Sequence, residues 1–171
     1  MSRTIHSWKN ISLCEEDLNL PTGKPITHTT IVHPGAAVIL PILPDNRILL
    51  IRQYRPSLKK WILEAPAGTK EPDESPECCA KRELEEETGY SAGSWHSLGQ
   101  VTPLAGFCDE IQHLFVAKDL KKTDRLSCDD DEVIELLPHS LEDIEDAIKN
   151  DELTDAKTIA SIYKAKLCGL L

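Results

Sequence analysis

Two runs of apolar residues stand out in the first third of the chain. AAVILPIL covers 36–43, RILLIRQY covers 47–54, and Pro44, Asp45 and Asn46 lie between them. A short polar turn between two apolar runs predicts a β-hairpin. Because both arms are almost continuously apolar, they are expected to be buried on two faces, at the centre of a sheet.

Shorter strand patterns occur before and after these runs. The first thirty residues are typical of strands separated by the PTGK turn at 21–24, where Pro and Gly suit the dihedral angles of a turn. Later strands are predicted around 97–101, 112–117 and 133–137. Together with the apolar runs, these segments predict a chain rich in strands.

Three helices are predicted from capping residues and apolar periodicity. A Ser-Pro pair at 75–76 and Gly89 bound a helix over about 76–88. A second helix follows Ser140, and a third covers about 155–167. Strands and helices mixed in this order predict an α/β (α+β) fold in which helices cover both faces of a sheet.

Length, composition and charge narrow the class of protein. A chain of 171 residues with 40% apolar content suits one domain with a substantial core. The N-terminal MSRTIHSWKN has no signal-peptide pattern and no run of about eighteen apolar residues follows, so we expect a cytoplasmic protein with no membrane partner. Six cysteines without metal-ligand spacing are expected to be reduced thiols. The net charge of -10 argues against nucleic acid as a partner.

The helix over 76–88 carries a dense cluster of acids. Glu83, Glu86 and Glu87 share one face and span an arc of about 100°. Like charges at this spacing weaken a helix unless something offsets them. Oxygen ligands that converge on one point suit a hard divalent cation such as Mg²⁺ or Mn²⁺, which would draw diphosphate oxygens into an otherwise acidic site.

Two further residues fit the same hypothesis. Arg82 lies four residues before Glu86, so that its guanidinium can brace that carboxylate. Gly68 lets the backbone approach closely, and a nearby carbonyl oxygen can then face the metal. The alternative is an ordinary solvated helix whose acids have accidental spacing.

Residues 68–90 resemble the signature of the Nudix hydrolases without a gap. The matching positions are Gly68, Glu74, Arg82, Glu83, Leu84, Glu86, Glu87 and Gly89. Tyr90 departs from the signature because it is aromatic where an aliphatic residue is usual. RQYRPSLKKWILEAPAG, at 52–68, is similar to the segment before this signature in ADP-ribose and nucleoside-diphosphate-sugar pyrophosphatases. The resemblance implies a Nudix-type α/β/α sandwich with a mixed central sheet, preceded by a small antiparallel N-terminal sheet.

The resemblance also implies an activity. It is Mg²⁺-dependent hydrolysis of ADP-ribose, or a related nucleoside diphosphate sugar, to AMP and ribose 5-phosphate, with Mn²⁺ as a possible substitute. The alternatives are another Nudix substrate, such as GDP-mannose, another ADP-sugar or a dinucleoside polyphosphate, and a non-catalytic module that binds the nucleotide as a signal. A single domain over 1–171 is expected, with strands in 1–32 used for homodimerisation.

Carried over position by position, the resemblance assigns roles around the metal. The metal ligands are Glu83, Glu86, Glu87 and the backbone carbonyl of Ala67, and the residues that brace them are Arg82 and Glu74. Glu86, Glu87 and Arg82 therefore belong to the catalytic set. The general base is expected in the acidic run at 128–136, where Glu132 matches best and Glu135 is the competitor.

Substrate contacts are implied outside the signature. Arg55 and Arg52 end a predicted central strand, where a guanidinium can grip a phosphate through two hydrogen bonds. Glu64 lies in the family-like segment, and Trp8 matches an aromatic residue that stacks on adenine in related dimers. TPLAGFCDE, at 102–110, departs from the Ser-Pro-Gly stretch of related bacterial enzymes, and this leaves the sugar half of the substrate open.

Overall fold

The computed structural model describes residues 2–123 and 133–171 of the chain. The strands there are β1 Ser2–Trp8, β2 Ile11–Asn19, β3 Pro25–Val32, β4 Ala36–Pro41, β5 Ile48–Arg55, β6 Lys60–Glu64, β7 Ala67–Thr69, β8 Tyr90–Val101, β9 Gln112–Lys122 and β10 Ile134–His139. The helices there are α1 Pro76–Thr88, α2 Leu141–Lys149 and α3 Ala156–Leu167. No helix in these two ranges is long and apolar enough to cross a membrane.

The strands form three sheets. An antiparallel N-terminal sheet has the order β1-β2-β3, and its PTGK turn closes with a hydrogen bond from the Gly23 N–H to the Leu20 carbonyl at 2.8 Å. A four-stranded mixed sheet has the order β7-β4-β9-β8, in which β4 and β9 are parallel. An antiparallel sheet has the order β10-β5-β6. The predicted mixed central sheet and small N-terminal sheet are confirmed.

The prediction that 36–43 and 47–54 pair as a hairpin is wrong beyond the turn. The turn forms, with a hydrogen bond from the Leu43 N–H to the Arg47 carbonyl at 2.8 Å, but Ile42 and Ile48 make only one isolated bridge. β4 and β5 then enter different sheets. Pro41 offers no N–H for a continuing ladder. The continuous apolar pattern reflects burial of both faces of each strand, which either arrangement satisfies.

Two apolar clusters hold the layers together. One lies between the sheets and the two C-terminal helices and includes Val38, Leu50, Val116, Ile144 and Ile162. The other packs α1 against the four-stranded sheet and consists of the buried residues Ala37, Ile39, Cys79, Ala80, Leu84, Phe115, Ala117 and Leu120. Helices therefore cover both faces of the mixed sheet, as the predicted α/β/α sandwich requires.

The element bounds differ from the predicted ones mainly in the strands. Helix α1 and the start of α2 lie where the capping residues placed them, and α3 lies within the predicted 155–167. β8 and β9 are longer than predicted, and the short strands β6 and β7 were not predicted. β7 is only three residues long and pairs with β4, so its strand form comes from a tertiary partner rather than from its own pattern.

Candidate active site

Helix α1 is fixed at both ends and on one face. The Ser75 side chain accepts a hydrogen bond from the Cys78 N–H, and Gly89 ends the helix with a left-handed backbone at φ 68°. Ala80 and Leu84 are fully buried against the sheet. This packing places the carboxylates of Glu83, Glu86 and Glu87 next to the buried apolar face of the helix, beside β7.

Glu83 lies directly against the backbone of Gly68. A Cβ atom at position 68 would overlap the Glu83 carboxylate. The Cys79 thiol donates to the Gly68 carbonyl at 3.5 Å. Burial, with smaller effects from Glu74 and Glu83, raises the pKa of Cys79 to about 12, so the thiol stays neutral. The glycine therefore leaves the space that the Glu83 carboxylate occupies against β7.

Arg82 joins three carboxylates. Its Nε and Nη2 donate to the two Glu74 oxygens, both at 3.0 Å, and its Nη1 donates to Glu83 at 2.7 Å and to Glu86 at 2.9 Å. The hydrogen bond from Arg82 lowers the pKa of Glu74, and the bond to Glu74 is the main cause of the raised pKa of Arg82. One guanidinium faces three carboxylates here, so a negative excess remains beside the helix.

Glu87 has a different environment from Glu83 and Glu86. It is 2% exposed, and its Oε2 accepts a hydrogen bond from the Ala67 N–H at 2.9 Å. The side chain of Glu86, in contrast, is 39% exposed. The three glutamates of this helix face therefore differ in burial. Glu87 is buried and ties the helix to β7, while Glu83 and Glu86 border open space.

That space is a cavity of about 390 Å³ above β7 and α1. Its lining combines acidic, basic and backbone groups from distant parts of the chain, namely Lys9, Asn10, Ile11, Arg55, Ala67, Gly68, Thr69, Glu71, Arg82, Glu83 and Glu86. Five of the predicted site residues, Arg55, Ala67, Arg82, Glu83 and Glu86, are thus brought together. A cavity lined by both carboxylates and guanidinium groups suits an anionic ligand bridged by a cation.

Arg55 is held in place by the buried carboxylate of Glu64. Its Nε and Nη2 donate to the two Glu64 oxygens at 2.7 and 2.8 Å, and the Glu64 side chain is fully buried. Burial opposes the charge on Arg55, but the bonds and charge of Glu64 together with other nearby acids outweigh it, so the pKa of Arg55 is raised. Glu64 therefore orients Arg55 instead of facing the cavity itself.

Arg52 lies away from this cavity. It is three residues before Arg55 on β5, and its Nη1 donates to Glu135 of β10 at 3.0 Å. Its guanidinium carbon lies 4.8 Å from the centre of the Trp61 ring, and both residues are on the surface. The structure thus separates Arg52, and the competitor base Glu135, from Arg55. Glu132 lies outside the described residues.

The N-terminal turn contributes groups that the pattern of the sequence did not single out. Lys9, with φ 47°, Asn10 and Ile11 connect β1 to β2 and border the cavity. Trp8, which was singled out, is 43% exposed and stacks on His6 with the ring centres 5.6 Å apart. The Lys-Asn pair signals a turn, but its distance from α1 is set by tertiary packing alone.

The residues present fit a divalent cation through their oxygen donors. Within 2–123 and 133–171 no three Asp, Glu, His or Cys side chains are arranged as a ligand group for a metal ion. Arg82 bonds to Glu83 and Glu86, and the Ala67 N–H bonds to Glu87. Glu83, Glu86 and the Ala67–Gly68 backbone nevertheless border one cavity. Carboxylate and carbonyl oxygens are the donors that Mg²⁺ and Mn²⁺ prefer.

Comparison with known proteins gives evidence on this chain that does not depend on the geometry of the site. The model of the NUDIX domain matches residues 32–162. An ADP-ribose pyrophosphatase of Bacillus subtilis is 38% identical over 164 residues, 95% of this chain and 89% of that protein. A methanol dehydrogenase activator of Bacillus methanolicus has the same identity and coverage. A crystal structure of an ADP compounds hydrolase matches with a TM-score of 0.84 and 22% identity, over 100% of this chain and 95% of that one.

Proposed function

Because the chain belongs to the NUDIX domain family, we propose that it hydrolyses the diphosphate of ADP-ribose, or of a related nucleoside diphosphate sugar, with Mg²⁺ as cofactor. Water is added across the P–O–P bridge, and the products are AMP and ribose 5-phosphate. The observation that carries the proposal is the single cavity lined by Arg55, by Glu83 and Glu86, and by the Ala67–Gly68 backbone. Without a cation, the two glutamates would repel this substrate.

Each side of the cavity has its own part in the proposed reaction. The residues that would hold the cation are Glu83, Glu86, Glu87 and the Ala67 carbonyl, and Arg82 keeps the Glu83 and Glu86 carboxylates oriented. A divalent cation supplies positive charge to the diphosphate and acidifies water. Arg55 grips a phosphate oxygen, and Glu64 fixes the angle at which it does so. For the general base we retain Glu132.

The adenosine half of the substrate is proposed to meet the N-terminal turn. Lys9 and Asn10 border the cavity, and Trp8 immediately precedes them with an exposed ring. Stacking of a base on such a ring contributes about 1 to 3 kcal/mol. The proposed assembly is a cytoplasmic homodimer in which the strands of 1–32 meet the partner.

The substrate assignment predicts a clear order of activities. With Mg²⁺, the protein should release AMP from ADP-ribose faster than it releases GMP from GDP-mannose or mononucleotides from a dinucleoside polyphosphate. Nucleotide release is measured by chromatography, with an excess of EDTA as the control that should abolish it. GMP release from GDP-mannose with ADP-ribose left intact would reject ADP-ribose but keep the hydrolase. Absence of turnover on the whole panel would instead favour a non-catalytic nucleotide sensor.

The dimer predicts a sedimentation result. All seven residues of β1 are exposed, and Ile5 and Trp8 are large apolar residues on this edge strand. We expect sedimentation velocity to give twice the chain mass of 19.1 kDa. Ile5→Asp should shift the distribution towards the single chain, whereas Lys166→Met, a substitution on α3, should not. A wild-type protein that sediments only as one chain contradicts this assembly.

A further inference from the structure

A buried network of charges lies behind Arg55. The fully buried Glu64 carboxylate accepts two hydrogen bonds from Arg55 and a third, on Oε2, from the Lys157 Nζ. Lys157 also donates to the Asp155 Oδ1 at 3.0 Å. Two cations and two carboxylates balance in this network, which satisfies the condition for burying charge. Lys157 belongs to the C-terminal helix, far in sequence from the motif at 68–90.

The position of Lys157 is fixed by the start of α3. Asp155 caps this helix, and its Oδ2 accepts a hydrogen bond from the Thr158 N–H at 3.0 Å. The Thr158 hydroxyl in turn accepts from the Ala65 N–H at 2.7 Å, one residue after Glu64. The Lys157 side chain is only 12% exposed. A hydrogen bond therefore joins the helix start to the segment before β7 directly beside the Lys157–Glu64 pair.

Arg55 and Lys157 both pair with Glu64, but they differ in position. Arg55 lines the cavity and Lys157 does not. Arg55 uses its Nε and Nη2 edge for Glu64, which leaves Nη1 on the far side of Cζ, and Arg55 borders the cavity. Lys157 contacts the same carboxylate from within the protein. If Arg55 were the sole counter-ion of a buried carboxylate, most of its positive potential would be cancelled there. With Lys157 present, more of that potential remains for an anion in the cavity.

We propose that Lys157 is a positioning residue that sustains the charge and orientation of Arg55 for a diphosphate substrate. This inference rests on the proposed function, since it concerns the phosphate-facing side of the same cavity. Lys157 acts through Glu64 and Arg55 rather than by touching the substrate. Loss of Lys157 should therefore weaken substrate binding and leave the chemical step, which depends on Glu83 and Glu86, largely intact.

The test is a double-mutant cycle measured with ADP-ribose and Mg²⁺. Lys157→Met should raise KM about tenfold, a loss of binding free energy of about half that of a strong hydrogen bond to a charged group. The same substitution should change kcat less than about threefold. In an Arg55→Met background the same substitution should change KM less than about twofold. Lys157→Arg should recover most of the wild-type KM. Lys166→Met, which removes a more exposed lysine of the same helix, is the matched control and should leave KM unchanged.

A second readout does not depend on turnover. The Nε–H signal of Arg55 in a ¹⁵N spectrum, assigned by its loss in Arg55→Lys, should shift in Lys157→Met and return towards its wild-type position in Lys157→Arg. An unchanged Arg55 signal, or equal KM effects of Lys157→Met in both backgrounds, overturns the inference. If Lys157→Met does not fold, Lys157→Gln replaces it in both measurements. Wild-type protein that fails to hydrolyse ADP-ribose rejects the proposed function instead, and the Arg55 signal still decides the role of Lys157.

Discussion

Glu86→Gln is expected to lower kcat for ADP-ribose hydrolysis at least about a hundredfold, typical of losing a group that acts in the transition state. The amide keeps the shape of the side chain but removes the negative charge that a divalent cation requires. The side chain is 39% exposed, and Arg82 retains Glu74 and Glu83 as partners, so the free energy of unfolding should change by less than about 1 kcal/mol. Steady-state kinetics and thermal unfolding measure the two effects separately.

Glu77→Gln is the matched control for this substitution. Glu77 lies on the same helix, is exposed and pairs with Lys81 at 2.6 Å, away from the cavity. It should keep wild-type kcat, which separates the loss of a ligand from the loss of one negative charge on α1. Unchanged turnover in Glu86→Gln would refute the catalytic assignment and favour a nucleotide-sensing module.

Gly68→Ala should reduce kcat/KM at least about tenfold without unfolding the protein. The added Cβ would occupy the place of the Glu83 carboxylate, so that this side chain must turn away and give up its present bond to Arg82. The displaced group is the end of a flexible side chain, and the backbone of Gly68 is not left-handed, so the cost in stability should stay within about 2 kcal/mol. Loss of the groups that orient metal ligands typically costs about tenfold to a hundredfold in affinity or activity, and Gly68 sets the orientation of Glu83 in this way.

Gly106→Ala supplies the comparison for that substitution. A Cβ at Gly106 would have nothing within 4 Å, so this variant should match the wild type in both kcat/KM and melting temperature. Full activity in Gly68→Ala would mean that the position of Glu83 against β7 has no role in the reaction. The pair of glycine variants therefore tests steric placement without changing any charge.

The parts of the site that the sequence predicts well are those with local signals. The capping residues at 75–76 and Gly89 fix α1 almost to the residue, and the 3.6-residue period then places Glu83 and Glu86 together. The strand period also held information about Arg52 and Arg55. Side chains three residues apart on a strand point to opposite faces, which agrees with the separation of these two arginines.

Other parts depend on contacts between distant segments. The missing N–H of Pro41 is the one local sign against a continuing hairpin. The apolar pattern itself does not distinguish a hairpin from two strands in different sheets, because both arrangements bury the same residues. The Lys9 turn and Lys157 reach the site region over 40 residues or more of intervening chain, and ordinary lysines in a turn or helix carry no local mark of that role. Tertiary packing, not propensity, brings them there.

The central claim is that the acidic face of α1 holds a divalent cation, and calorimetric titration tests it most directly. Mn²⁺ and Mg²⁺ should each bind saturably to the wild-type protein with a non-hydrolysable ADP-ribose analogue, and this heat should disappear in the Glu83→Gln/Glu86→Gln double variant. Glu77→Gln should bind as the wild type does. Absence of cation uptake by the folded wild-type protein, with and without the analogue, would contradict the account.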